Sequence, residues 1–133
     1  MIADAPPQPA AAIAATDRPS LLRGTTNERR PVRLWIRGGT IVRVRIDIGR
    51  YVCDPEGDIG PLLIDDRPYV AIHASRRFVL SIGPGSQRLQ IDGRLSADRR
   101  RAGGSARLTG TIGTGDPCRS PRISFRAARP APA

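Results

Sequence analysis

The sequence contains no lysine: all 22 basic residues are arginine, set against 12 acidic residues for a net charge of +10. That absence excludes Schiff-base chemistry and a phosphate-binding Walker lysine. Histidine occurs once, as His73, and cysteine twice, as Cys53 and Cys118. Three such ligands cannot complete a four-coordinate zinc site without carboxylates. One Trp, two Tyr and two Phe are too few for an array of base-stacking platforms. Long apolar runs are missing as well. A membrane-spanning helix needs roughly 18 apolar residues, and the densest stretch, Ile41 to Ile48, is broken by Arg43, Arg45 and Asp47. No transmembrane segment and no cofactor are therefore expected.

What is present fits one small domain: 133 residues with 39% apolar content, enough for a single modest core. An arginine excess favours anionic partners, because clustered cations release counterions when they neutralise phosphates or carboxylates. Abundant Ala, Gly and Pro beside a complete lack of Lys is also the bias of a GC-rich genome, so part of that excess is compositional. An even cysteine count in a small β-rich chain fits an oxidising compartment. A Cys53–Cys118 disulfide is therefore expected, and a loop of about 65 residues closed by it would contribute roughly 4 kcal/mol. The alternative is a pair of buried, reduced thiols.

Met1 to Ser20 has neither a cationic start nor an apolar run of signal-peptide length. Ala10 to Ala15 has the small-residue character of a cleavage region, which gives the expectation of a further segment upstream. The expected location is extracellular or in the cell envelope, with the cytoplasm as the alternative.

Residues 1–31, rich in Pro and Ala and without steady periodicity, read as a disordered leader, and residues 128–133 as a disordered tail. Between them, residues 32–127 read as a β-domain with the period-two alternation of half-buried strands. Val32, Leu34 and Ile36 alternate with Arg33, Trp35 and Arg37. After Gly38-Gly39-Thr40, Val42, Val44, Ile46 and Ile48 continue the pattern as a hairpin. A three-residue loop sets Val32, Leu34 and Ile36 opposite Ile46, Val44 and Val42, whereas a two-residue loop would set Leu34 opposite Arg43.

Phe78, Leu80 and Ile82 form a second alternation, returning as Leu89 and Ile91 with Ile82 opposite Leu89 and Phe78 opposite Gly93. The following strand, Ala106 to Ile112, is expected to set Leu95 opposite Ala106. Shorter strands are expected at Tyr69 to His73 and at Arg122 to Ala127. The expected fold is a small antiparallel all-β sandwich, or a partly closed barrel, of about seven to eight strands.

The frame Val32 to Ile46 with its central Gly-Gly, Cys53, Arg77-Phe78, Ile91-Asp92-Gly93-Arg94-Leu95, Gly103-Gly104 and the closing Cys118-Arg119-Ser120-Pro121-Arg122-Ile123-Ser124-Phe125-Arg126-Ala127 resembles a group of small uncharacterised bacterial proteins. The resemblance implies an exported β-sandwich domain with its two cysteines paired. It implies no catalytic residue.

Asp54, Glu56, Asp58 and Asp65 imitate the spacing of a calcium loop. Pro55 stiffens the second position, Ile59 stands where the sharp turn needs Gly, and no helices flank the segment, so a solvated acidic loop is expected and no metal. His73 with Ser75 or Ser81 and Asp65 could make a hydrolytic site only with a positioned base, and no nucleophile motif accompanies it, so no enzyme is expected. Gly83-Pro84-Gly85 and Gly110 to Gly115 open no helix and do not suggest phosphate cradling.

The outward face of the first hairpin carries Arg33, Trp35 and Arg37 opposite Arg45, Arg43 and Ile41, with Trp35 and Arg43 close enough to stack. The Arg99-Arg100-Arg101 loop could add cationic contact. The functional expectation is a non-enzymatic exported or envelope-associated interaction or structural module, with an acidic envelope polymer or a protein as partner. The alternative is a nucleic-acid-binding β-domain using Arg33, Trp35, Arg37, Arg43 and Arg45.

Overall fold

A computed structural model describes residues 18–113 and 115–130. The described chain is all-β and antiparallel, as the alternation requires. Twelve strands form one continuous open sheet, rather than two separately bonded ones. The central strands are β1 (Ser20–Thr26), β2 (Pro31–Arg37), β3 (Thr40–Ile48), β10 (Arg101–Thr111) and β12 (Ile123–Ala128). In space they run β10-β12-β1-β2-β3. Strands β8 (Arg77–Ile82) and β9 (Arg88–Leu95) continue beyond β10, while β6 (Leu62–Asp66) and β7 (Val70–Ala71) share the far edge of β3. The short strands β4 (Val52–Cys53), β5 (Gly57–Asp58) and β11 (Pro117–Arg119) extend the second half of β10. The count exceeds seven or eight because several of these ladders are only two or three residues long.

A sheet with one apolar face must bury it, and this sheet does so by curling on itself. Ile64 of β6 and Phe78 of β8, far apart in the strand order, share one core with Leu34, Val44, Leu89 and Ile123. The two edges approach without forming a ladder. His73 N donates to Arg77 O at 2.9 Å, and Gly83 N donates to Asp66 Oδ2 at 3.4 Å. Nearby, the buried Tyr51 hydroxyl donates to Gln87 Oε1, and Gln87 Nε2 donates to Thr111 O at 2.8 Å.

The structure corrects the leader assignment. Residues 1–17 lie outside the described residues, but Ser20–Thr26 is a strand bonded on both sides, by β2 and β12. Its inward positions are Leu22, Gly24 and Thr26, a poor hydrophobic alternation that hides it in the sequence. Gly24 is required by close approach: a Cβ there would run into Arg126 O and the Ala127 backbone. Thr26 ends the strand, its Oγ1 accepting from Glu28 N at 3.2 Å and Arg30 N at 3.3 Å across the turn to β2. At the other terminus Ala128 belongs to β12, so the tail begins later than expected; residues 131–133 lie outside the described residues.

Two registers also differ. Val32↔Ile46 and Leu34↔Val44 hold, but Ile36 faces Ile41 and Arg37 faces Thr40, so the loop is Gly38-Gly39. A bulge next to Trp35/Ile36 absorbs the extra residue and keeps Leu34 away from Arg43. Strands β8 and β9 pair as expected, with Phe78 opposite Gly93. Between β9 and β10, however, Leu95 faces Ala102 instead of Ala106, a shift of four residues. The β9–β10 turn is tight because Asp98 Oδ1 accepts from Ser96 Oγ at 2.6 Å and from Arg100 N at 3.1 Å. Gly103 and Gly104 are thereby drawn into the strand, where Gly104 lies against Asp92 O and Gly93 Cα.

Cys53 and Cys118 face each other across β4 and β11 and form a disulfide. Non-reducing mass spectrometry should give a mass two hydrogens below the reduced chain, and Cys53→Ser/Cys118→Ser should lose roughly 4 kcal/mol of stability. Gly24→Ala is expected to cost about 1–3 kcal/mol by overpacking, read as a lower urea midpoint. Gly39→Ala, with nothing within 4 Å of its new Cβ, should stay near wild type. Equal midpoints for the two variants would mean that Ser20–Thr26 is not an interior strand.

Candidate functional site

Alternation along β1, β2 and β3 puts Leu22, Val32, Leu34, Val44 and Ile46 in the core and turns their neighbours outward. Arg33 lies directly opposite Arg45, and Trp35 directly opposite Arg43, as the hairpin pattern implies. Arg37 sits opposite Thr40 at the tip. The strand unrecognised in the sequence adds to this face: Arg23 is the partner of Arg33 and Leu21 the partner of Trp35. Arg23, Arg33 and Arg45 thus form a cross-strand row over three strands. Only the strand assignment of Ser20–Thr26 could have revealed Arg23, and Gly24 obscures it.

Trp35 and Arg43 are tightly organised. The Arg43 guanidinium lies 4.5 Å from the centre of the half-buried indole. It also makes a forked contact with Asp65 of β6, Nε to Oδ1 at 2.9 Å and Nη2 to Oδ2 at 2.7 Å. That hydrogen bond holds the Asp65 carboxyl below its ordinary range, aided by the charges of Arg43, Arg45 and Arg67. One face of the indole is therefore occupied by a cation that is already neutralised. Among the described residues, no side-chain hydrogen bond or ion pair engages the guanidinium groups of Arg23, Arg33 and Arg45 at the distances that hold Arg43.

Of the acidic residues considered for calcium, Asp65 lies apart from Asp54, Glu56 and Asp58. Asp65 is committed to Arg43 on the outer face. Asp58 Oδ1 accepts from Gly60 N at 2.9 Å and Tyr51 N at 3.1 Å, which holds its carboxyl below the usual range. Glu56 is raised by a hydrogen bond with Asp116, and Asp54 lies beside the disulfide, its N donating to Pro117 O at 3.1 Å. Among the described residues, no three His, Cys, Asp or Glu side chains are grouped to hold a metal ion. His73 is exposed in the turn before β8, where its carbonyl accepts from Arg76 N at 2.8 Å. The structure brings no hydrogen bond between it and Ser75, Ser81 or Asp65 among the described residues. No helix of the described residues is long and apolar enough to cross a membrane.

What this arrangement can do chemically is attract anions: a row of guanidinium groups on a rigid sheet, beside a tryptophan with one face covered by Arg43. Comparison with protein families, curated proteins and solved structures finds no match.

The lone tryptophan reports on its own cation. Because the folded Asp65 carboxyl is depressed, the Arg43–Asp65 contact is intact above the ordinary Asp value of 3.8 and is lost as pH falls through the lower folded value. Tryptophan fluorescence should show an acid transition with a midpoint below 3.8, and Asp65→Asn should lack it. A transition unchanged in Asp65→Asn would show that another group controls the Trp35 environment.

Proposed function

We propose that this protein is a non-enzymatic β-domain of the extracellular space or cell envelope that acts as an interaction module, holding an acidic partner on the outer face of β1, β2 and β3. The observation that carries the proposal is the row Arg23–Arg33–Arg45, each residue directly opposite the next. Like charges facing each other across strands weaken a sheet, by about 0.2–1 kcal/mol per pair. Asp65 opposite Arg45 offsets one end of the row, but Arg23 and Arg33 face no carboxylate, so folding alone does not favour that pair. An anionic partner turns the repulsion into attraction and adds the entropy of released counterions.

The Cys53–Cys118 disulfide supports an oxidising compartment. The likeness of Cys53 and the Cys118–Ala127 segment to small exported bacterial β-domains points the same way. Binding of single-stranded nucleic acid is the second reading, favoured by Trp35 among arginines. It is the weaker one, because base stacking on an aromatic is a main source of such affinity and Arg43 covers one face of the half-buried indole.

Binding of polygalacturonate, a linear polycarboxylate, and of oligothymidylate should be compared across salt concentrations. The expected result is polygalacturonate binding that weakens steeply as salt rises and falls at least tenfold in Arg33→Glu/Arg45→Glu with the fold intact by circular dichroism. Absence of binding to either polymer at low salt would overturn the proposal. Tighter oligothymidylate binding with quenching of Trp35 would favour the second reading.

A further inference from the structure

The arginine row does not stop at β1. Following the registers outward, Arg23 is opposite Ala128 of β12, and Ala128 is opposite Arg101 of β10. One outward position along the strands, about 6.8 Å away, a second row contains Thr25, Arg126, Gly103 and Arg94. From Arg45 on β3 to Arg94 on β9 the chain of neighbouring strands is β3-β2-β1-β12-β10-β9. Five steps at the usual strand spacing make about 24 Å.

The first row contains no carboxylate from Arg45 to Arg101, and the second, continued through Pro31 to β3, ends at Asp47, which Arg30 holds at 3.3 Å. The flanking carboxylates are already committed, Asp65 to Arg43 at 2.7 Å and Asp92 to Arg77 at 2.7 Å. Among the described residues, the guanidinium groups of Arg94, Arg101 and Arg126 have no such partner. Cations without a hydrogen-bonded carboxylate therefore form a band running across the strands, with Asp65 opposite Arg45 at one end and Asp92 and Asp98 acting through space on Arg94 and Arg101 at the other.

The middle of the band is recessed. Gly103 has no side chain between Arg94 and Arg126, and a Cβ there would meet only Phe125 O, at 3.4 Å. A depression of about 510 Å³ opens at this point, lined by Thr25, Asn27, Gly103, Ser124, Arg126 and Phe125, whose side chain is buried in the core. It puts two hydroxyls and an amide beside a guanidinium, and the buried ring of Phe125 offers no exposed face. Such groups match a ligand that carries hydroxyls as well as charge, whereas a base would need a face to stack on.

We infer that the partner is a linear acidic polysaccharide lying across the strands, with Arg45, Arg33 and Arg23 at one end of its track and Arg126 and Arg94 at the other. This rests on the proposed binding of an acidic partner and adds its class, its direction and the second half of its site. A track of six neighbouring strands needs a chain of about six charged units at the strand spacing. Short fragments reach only one half.

The test uses the full chain and oligogalacturonates of defined length, with binding followed by calorimetry at low salt. Affinity should rise steeply from the dimer to about the hexamer and then level off. Arg94→Ala/Arg126→Ala should weaken hexamer binding about tenfold and reduce the salt slope by about two charges, while leaving dimer binding little changed. Arg107→Ala, on the same outer face of β10 but outside the band, should bind as wild type. Hexamer binding that is unaffected by Arg94→Ala/Arg126→Ala, or a dimer that binds as tightly as the hexamer, would overturn the inference while leaving the acidic-partner reading in place. Failure of every oligomer and of polygalacturonate to bind would remove both. Preferential binding of an oligothymidylate of equal charge would replace the polysaccharide with nucleic acid.

Discussion

One-sided burial is the constraint on which the rest of this structure depends. Each long strand turns alternate residues inward, and no helix of the described residues covers the apolar face. The sheet has to be its own cover, so it curls until Ile64 and Phe78 reach a common core. Curling crowds backbones at the inside of the bend. Glycines stand where that crowding is greatest: Gly24 against β12, Gly104 against β9, and Gly93 under the ring of Phe78, whose Cζ would lie 2.5 Å from an added Cβ. Large and small residues are thus paired by curvature as much as by volume.

The same constraint decides how much was legible. Hydrophobic alternation identified β2, β3, β8, β9 and β12 and the outward position of Arg33, Trp35, Arg43 and Arg45, because those strands carry branched or aromatic residues on the inner face. It failed where the inner face is made of small residues. Leu22-x-Gly24-x-Thr26 looks like a linker, and Ala102-Gly103-Gly104 looks like a loop, yet both are interior strands. With them were lost Arg23 and the strand position of Arg101, both part of the cationic face. The hairpin loop was misjudged for another reason: a bulge restores the pairing of Leu34 with Val44 after a two-residue turn, and alternation alone cannot distinguish that from a longer loop.

Arginine excess by itself says little about function in a chain without lysine. Its distribution says more. Acidic side chains are matched to particular arginines, Asp47 to Arg30, Asp65 to Arg43 and Asp92 to Arg77, which leaves the middle of the outer face of one sign. Because every guanidinium stays charged across the accessible pH range, the field of that face responds to ionic strength far more than to acidity. The Arg43–Asp65 fork is different in kind. It fixes a cation against Trp35 and makes that corner a rigid, nearly neutral boundary of the band.

Cys53 and Cys118 join two of the shortest strands, whose few backbone bonds would fray easily. Everything from β5 to β10 lies between them in the chain. Covalently, the domain is therefore a ring with two arms, β1 to β3 forming one arm and β12 the other. A protease that cuts any single turn within the ring opens it without releasing a fragment, and the sheet can hold the cut ends in place. The arms carry Arg23, Arg33, Arg45 and Arg126, and the ring carries Arg94 and Arg101, so one bond keeps both parts of the cationic face on the same molecule after such damage.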